Sequence, residues 1–165
     1  MKTVDFIRSA LEMSSRATLA LADDMQDAPL TFPTPKGGNH PLWILGHLAY
    51  SEASIQRMML GRPNPLADWK DLFGVGTQPT ADAKAYPSFA EVRKAFTDLR
   101  AATLDILGSL TDADLDRPSK ECPPEFKDFL GTYSGCFTLL IVHPMHHRGQ
   151  VADARRAAGR KPLRM

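Results

Sequence analysis

Cysteine is scarce in this chain, which has Cys122 and Cys136 among 165 residues. Neither belongs to a Cys-x-x-Cys pair, so the sequence predicts neither a disulfide framework nor a cysteine metal site. Two reduced cysteines are typical of a cytoplasmic protein, and we expect that location. A signal-peptide pattern is also lacking, because Asp5 and Arg8 interrupt the only apolar run at the N-terminus.

Long apolar runs and a strong net charge are missing as well. No stretch approaches the ~18 apolar residues of a membrane span. The net charge is +1, so we expect neither a nucleic-acid nor a membrane partner. Basic residues do gather late in the chain, where we interpret them as complementing the C-terminal dipole of a last helix. They are Arg148, Arg155, Arg156, Arg160, Lys161 and Arg164.

Four long amphipathic segments account for most of the chain. Their apolar periodicity and end signals predict helices over residues 4–25, 39–60, 88–110 and 132–159. Asn39 is a suitable N-cap for the second helix, Gly61 ends it, and Ser88 with Glu91 forms a capping box for the third. Since no segment alternates like a strand, we predict an all-α four-helix bundle with one domain over residues 1–165.

A long connection separates the second and third predicted helices, over residues 61–87. Trp69, Leu72 and Phe73 indicate that it folds back onto the bundle. Long ordered loops in compact domains often serve as lids or pocket walls, although a passive cover over the core would have the same composition.

Three of the five histidines lie in the last predicted helix, at positions 143, 146 and 147. His143 and His147 are four residues apart on the inward-facing stripe, close enough to bind one metal ion. Histidines in such stripes also occur as hydrogen-bonded core residues, so the spacing leaves both interpretations open. The metalloprotease pattern His-Glu-x-x-His is excluded, because Pro144 stands where the general base would be. That proline also predicts a bend near His143.

A third histidine with an inward position is His47, in the middle of the second predicted helix. It would complete a three-histidine site if that helix faces the last one. Three imidazoles leave coordination positions open, as in catalytic rather than structural sites. His40 lies about 10 Å further along the axis, too far to share the ion. His146 should point to the flank, and Glu52 should point away from His47.

Two segments contain the clustered histidines together with distinctive neighbours: Trp-Ile-Leu-Gly-His-Leu at residues 43–48 and His-Pro-Met-His-His-Arg-Gly-Gln at residues 143–150. They resemble the two signature motifs of the DinB/YfiT-like superfamily of four-helix bundles. The segments at residues 69–74 and 86–89 also resemble members, so the likeness extends over most of the chain. Pro144 is a departure, because relatives carry an ordinary helix residue there.

The resemblance implies a divalent metal, nickel or zinc, bound by His47, His143 and His147. It implies a homodimer and an enzyme acting on a small-molecule substrate, either as a hydrolase or as a thiol S-transferase or isomerase with a low-molecular-weight thiol as co-substrate. We assign no catalytic residue. The alternative is a non-catalytic metal-holding bundle that binds a ligand or partner in a stress response. We expect Gln150 either to hydrogen-bond a ligand or to pack between helices, and Gly149 to allow close helix contact.

Overall fold

The computed structural model describes residues 1–27 and 30–163, and within them it contains helices but no extended strand. Four of its α-helices are long and two are short ones in the connections: α1 (Thr3–Asp23), α2 (Pro41–Leu60), α3 (Lys70–Phe73), α4 (Phe89–Gly108), α5 (Lys127–Leu130) and α6 (Tyr133–Ala157). The four long helices pack together, which confirms the predicted all-α four-helix bundle. None of the helices in the described part of the chain has the length and apolarity to cross a bilayer.

Side-chain contacts fix the relative directions of the long helices. Glu52 pairs with Arg100, and one turn later Gln56 binds Thr103, so α2 and α4 run parallel. In contrast, Asp23 near the end of α1 pairs with Arg93 near the start of α4, which makes that pair antiparallel.

The last helix returns along α1. Asp24, just after α1, pairs with Arg155 near the end of α6, and the starts of both helices share the apolar cluster around Leu11 and Phe137. Helix α6 is therefore parallel to α1 and antiparallel to α2. The second and last long helices therefore face each other, which is the condition for His47 to join the other two histidines.

The parallel pair explains the long connection. Helix α2 is 20 residues long, about 30 Å, so the chain must travel back the same distance before α4 can start beside it. We call this connection, residues 61–87, the return segment. Two ring nitrogens on α2 hold it in place: Trp43 Nε1 donates to the carbonyl of Leu72 at 3.0 Å, and His47 Nδ1 bonds to the carbonyl of Phe73. Phe73 is fully buried, which confirms that the segment folds back onto the bundle.

Helix ends follow the predicted signals with one correction. Gly61 ends α2 with a φ of 67°, Ser88 and Glu91 form the capping box of α4, and Thr132 caps α6. The N-cap of α2 is His40 rather than Asn39, because His40 Nδ1 accepts the backbone N–H of Trp43 at 3.1 Å. An imidazole nitrogen can replace the usual cap oxygen when the ring is neutral.

His40 makes the stability of the fold sensitive to acid. Its Nε2 lies 3.2 Å from the carbonyl of Thr80, so with Nδ1 accepting it is held as one neutral tautomer. Burial lowers the pKa of His40 from 6.5 to about 4. The unfolded chain therefore binds the extra proton first, and stability is lost as the pH falls from 6.5 to 4. We expect His40 to account for about 2–3 kcal/mol of that loss.

Urea unfolding at a series of pH values measures this effect. His40→Asn keeps a side-chain acceptor for the Trp43 N–H but does not titrate. We expect this variant to be less stable than the wild type at pH 7 and to lose less stability between pH 6.5 and 4. Parallel stability curves for the two proteins would contradict the role given to His40.

Ion pairs engage three of the basic residues near the end of α6. Arg155 is buried against Asp24, Arg160 pairs with Asp27, and Arg156 pairs with Asp153 on its own helix. Arg155 and Arg156 also lie in the last turn of α6, where basic residues were expected to complement the helix dipole. Arg164 lies outside the described residues.

A polar layer crosses the core between two apolar clusters. Arg100 of α4 is 4% exposed and Glu52 of α2 is 1% exposed, and their side chains form an ion pair at 2.9 Å. Thr103 donates a hydrogen bond to the other carboxylate oxygen at 2.6 Å. Burial raises the pKa of Glu52, while the adjacent guanidinium and hydroxyl act against that rise. Neither residue of this pair was predicted to pack inward.

Candidate metal centre

Helices α2 and α6 bring together the three histidines that the sequence singled out. His47 comes from the middle of α2, while His143 and His147 lie one turn apart on α6. His143 Nε2 is 3.2 Å from His47 Nε2 and 3.0 Å from His147 Nε2. One nitrogen from each ring lies within 4.8 Å of those of the other two. His47 and His147 are buried and His143 is half-buried, so His143 is the most exposed of the three.

The tautomer of His47 follows from its hydrogen bond to the return segment. Nδ1 lies 2.7 Å from the backbone carbonyl of Phe73, which can only accept, so Nδ1 carries the hydrogen. In the neutral ring Nε2 then carries a lone pair, and it points into the cluster. Trp43 stacks on the imidazole with ring centroids 4.8 Å apart, which further fixes its orientation.

His147 is held in the same way from a different direction. Its Nδ1 is 2.9 Å from Oε1 of Gln150, and Asn39 donates to that same oxygen at 3.1 Å. Asn39 donates to Oε1, so it is the amide oxygen of Gln150 that faces His147, and with this amide orientation His147 carries its hydrogen on Nδ1. The Nε2 lone pair of His147 therefore also points into the cluster. Gln150 thus hydrogen-bonds a predicted ligand, one of the two roles that the sequence left open.

The donor set fits a cation. Two Nε2 lone pairs converge on His143 Nε2, which in a neutral ring has one hydrogen at most and can satisfy only one of them. A metal ion between the rings would satisfy all three nitrogens. Ligands at about 2.1 Å in tetrahedral geometry would lie about 3.4 Å apart, close to the separations of 3.0 and 3.2 Å. Metal-bound histidines usually donate their other ring N–H to a carbonyl or carboxylate oxygen, as His47 and His147 do here.

Electrostatics keep the three imidazoles neutral. Burial, followed by the nearby rings of His147 and His47, lowers the pKa of His143 to about 3. Burial also lowers the pKa of His147 to about 4 and that of His47 below its usual value. All three rings are therefore unprotonated at neutral pH, which is the form that binds a metal ion.

The remaining histidines lie outside the cluster, as predicted. His40 caps α2, and exposed His146 packs its ring against His147 with centroids 5.1 Å apart. Glu52 is engaged by Arg100 and Thr103. In residues 1–27 and 30–163, no carboxylate forms a hydrogen bond or ion pair with any of the three clustered histidines. The prediction for Gly149 was wrong: it is exposed, and a methyl group there would meet nothing within 4 Å.

Two supporting groups escaped the sequence analysis. The carbonyl of Phe73 belongs to the backbone, so no residue type signals it. Asn39 has a side chain that suits an N-cap, and only the fold shows that it binds Gln150 instead. Histidine spacing therefore located the cluster but not the groups that orient it.

Comparisons with known proteins agree with this fold. Residues 10–151 match the family model of the DinB superfamily. The structure also resembles YfiT from Bacillus subtilis, described as a probable metal-dependent hydrolase with an unusual four-helix bundle topology. That match has a TM-score of 0.67 and 19% identity, and it covers 96% of this chain and 89% of YfiT. A search of curated proteins found no match. Because the family model extends over most of its length, the chain belongs to the DinB superfamily.

Proposed function

We propose that His47, His143 and His147 bind one divalent metal ion and that the protein uses it to transform a small molecule. The observation that carries this proposal is the convergence of the Nε2 atoms, with the hydrogens of His47 and His147 held on Nδ1. Both lone pairs converge on His143 Nε2, whose single hydrogen can satisfy only one of them, so the buried arrangement is unfavourable without a cation or a further proton. The lowered pKa values of the three rings disfavour the proton.

Nickel or zinc is the metal that we propose. Imidazole is a ligand of intermediate softness that suits zinc, nickel, copper and iron, whereas calcium and magnesium prefer oxygen. Three protein ligands would leave coordination positions for water or substrate, as in catalytic zinc sites. The half-buried side of His143 is where these positions would face solvent.

The bound ion would supply a nucleophile by lowering the pKa of a coordinated water or thiol towards neutrality. The chain itself orients the imidazoles through Phe73 and Gln150 and excludes bulk water with Trp43. The description of YfiT favours water as the nucleophile and hydrolysis as the reaction. The lack of a carboxylate beside the described histidines favours a small thiol, because a thiolate needs no base during attack.

Turnover assays distinguish these reactions. Metal-loaded protein would be incubated with ester and amide substrates, and with electrophiles in the presence of a panel of cellular thiols. Cleavage without thiol indicates a hydrolase, and thiol-dependent product indicates a transferase or isomerase; His147→Ala should remove either activity. Tight metal binding without any turnover would favour the non-catalytic alternative. Failure to bind nickel or zinc after reconstitution would contradict the proposal.

We also propose that two copies of the chain associate, as the resemblance implies. Support comes from four large apolar side chains that are exposed on the neighbouring helices α1 and α6, of which Met13 and Met145 line a common groove. These side chains are Phe6, Met13, Val142 and Met145. Sedimentation velocity should give twice the chain mass of 18.2 kDa.

A further inference from the structure

Pro144 lies inside α6 and changes the hydrogen bonding of the preceding turn. A proline has no N–H, so the carbonyl of Leu140, four residues earlier, lacks its usual helical partner. Leu140 is buried, where an unsatisfied carbonyl is costly. Arg100 of α4 donates to this carbonyl from Nη2 at 3.0 Å. A side chain from another helix therefore binds the acceptor that the proline frees.

The charge of Arg100 is balanced by Glu52. Nη2 and Nε of the guanidinium lie 2.9 and 3.1 Å from Oε2 of the carboxylate. Burying such a pair seldom stabilises a core more than apolar residues of similar volume would. The freed carbonyl of Leu140 gives the pair a specific role, because Arg100 supplies the donor that the helix no longer provides at Pro144.

The location of this contact links it to the three histidines. Glu52 follows His47 by five residues on α2, and Leu140 precedes His143 by three on α6. Arg100 therefore joins the two helices that supply the cluster, within about one turn of each contributing segment. Any shift of α6 against α2 that lengthens the contact between Arg100 and Leu140 also moves His143 relative to His47.

We propose that Arg100 is a positioning residue for the metal site: by binding both Glu52 and the Leu140 carbonyl freed by Pro144, it sets where α6 presents His143. Its effect on metal binding rests on the proposed function. The energetic coupling between Arg100 and Pro144 does not depend on the proposed function, because it is a property of the metal-free fold.

A double-mutant cycle tests the coupling. Pro144→Ala restores a backbone N–H that can donate to Leu140, so Arg100 is no longer needed for that carbonyl. We expect Arg100→Met to lose less stability in the Pro144→Ala background than in the wild type, measured by urea unfolding of metal-free protein. The cost of leaving Glu52 buried without its partner is common to both backgrounds and cancels.

Metal affinity of the folded protein tests the positioning. Competition of Zn²⁺ between the protein and a chromophoric chelator should show binding weakened about tenfold to hundredfold in Arg100→Met, as for other groups that orient ligands. Leu107→Ala is the matched control, because it removes a buried side chain from the same helix. It should lower stability and leave the affinity of the folded protein unchanged. If Arg100→Met does not fold, Arg100→Lys can be used instead. Lysine keeps the positive charge but lacks the planar guanidinium that donates to both Glu52 and Leu140, so we expect an intermediate loss of affinity.

The outcomes of these two experiments separate the contact with Leu140, the positioning role and the proposed function. Additive unfolding free energies in the cycle would overturn the link between Arg100 and Pro144. Wild-type affinity in Arg100→Met and Arg100→Lys would overturn the positioning role. Coupling in the cycle together with no Zn²⁺ binding by the wild type would refute the proposed function and the positioning of a metal ligand, while keeping the contact with Leu140.

Discussion

Replacing His147 by alanine should abolish stoichiometric metal binding. The wild type, purified without chelating resin, is expected to carry about one equivalent of nickel or zinc, and the variant almost none. Loss of one of three nitrogen ligands leaves two, and the remaining pair includes half-buried His143, which water can reach. We expect an affinity loss of at least about 10³-fold, since removing a direct ligand should exceed the 10–100-fold typical of second-shell changes. Elemental analysis and chelator competition measure the two quantities.

His146→Ala is the matched control, because His146 is a neighbouring histidine on the same helix whose side chain is exposed. It should retain the full metal content. Gln150→Leu should fall between the two, with binding weakened about 10–100-fold, because it removes the acceptor that holds the hydrogen of His147 on Nδ1. Equal metal content in all three variants would show that the three clustered histidines are core residues rather than metal ligands.

Gly46→Ala should destabilise the protein strongly, by about 3 kcal/mol or more. A β-carbon at this position would overlap the ring of Phe73, which is fully buried and held by the surrounding core. Relief would require Phe73 to move, and its carbonyl is the partner of His47. The variant should therefore also bind metal more weakly. A thermal melt is expected to show a midpoint lower by roughly 10 °C.

Gly149→Ala is the comparison variant for Gly46→Ala. Gly149 also lies inside a helix, but a β-carbon there would have no neighbour within 4 Å. Alanine favours helix over glycine by up to about 1 kcal/mol, so this variant should be as stable as the wild type or slightly more stable. Similar losses in both variants would show that helix propensity, not contact with Phe73, governs position 46.

Local patterns predicted the helices well because α1, α4 and α6 each bury one face, whereas α2, in which residues 43–49 are all buried, is marked by its end signals. The end signals at Ser88 and Gly61 correspond to observed helix ends, and the last helix begins within one residue of its predicted start. The start of α2 was misplaced by one residue, since both Asn39 and His40 can accept a hydrogen bond and only the tertiary contacts decide between them. Helix direction was not predicted, because amphipathic periodicity is the same for parallel and antiparallel neighbours.

The histidine cluster was predictable from spacing and resemblance, whereas its surroundings were not. His143 and His147 share a helix face by geometry alone, and the bundle supplies His47. The pairing of Glu52 with Arg100 depends on the register between two helices, to which a single sequence gives no guide. For the same reason, the relation between Pro144 and Arg100 became visible only when the freed carbonyl and its donor were seen together.

The return path of the chain between α2 and α4 has a kinetic consequence. The groups that form and orient the cluster come from positions 47, 73 and 143–150, so they meet only after distant parts of the chain have been brought together. Loop closure over such separations comes late and is slow. A metal ion bound there stabilises contacts that are absent from an early folding transition state. It should therefore prolong the lifetime of the folded protein while leaving the rate of folding nearly unchanged.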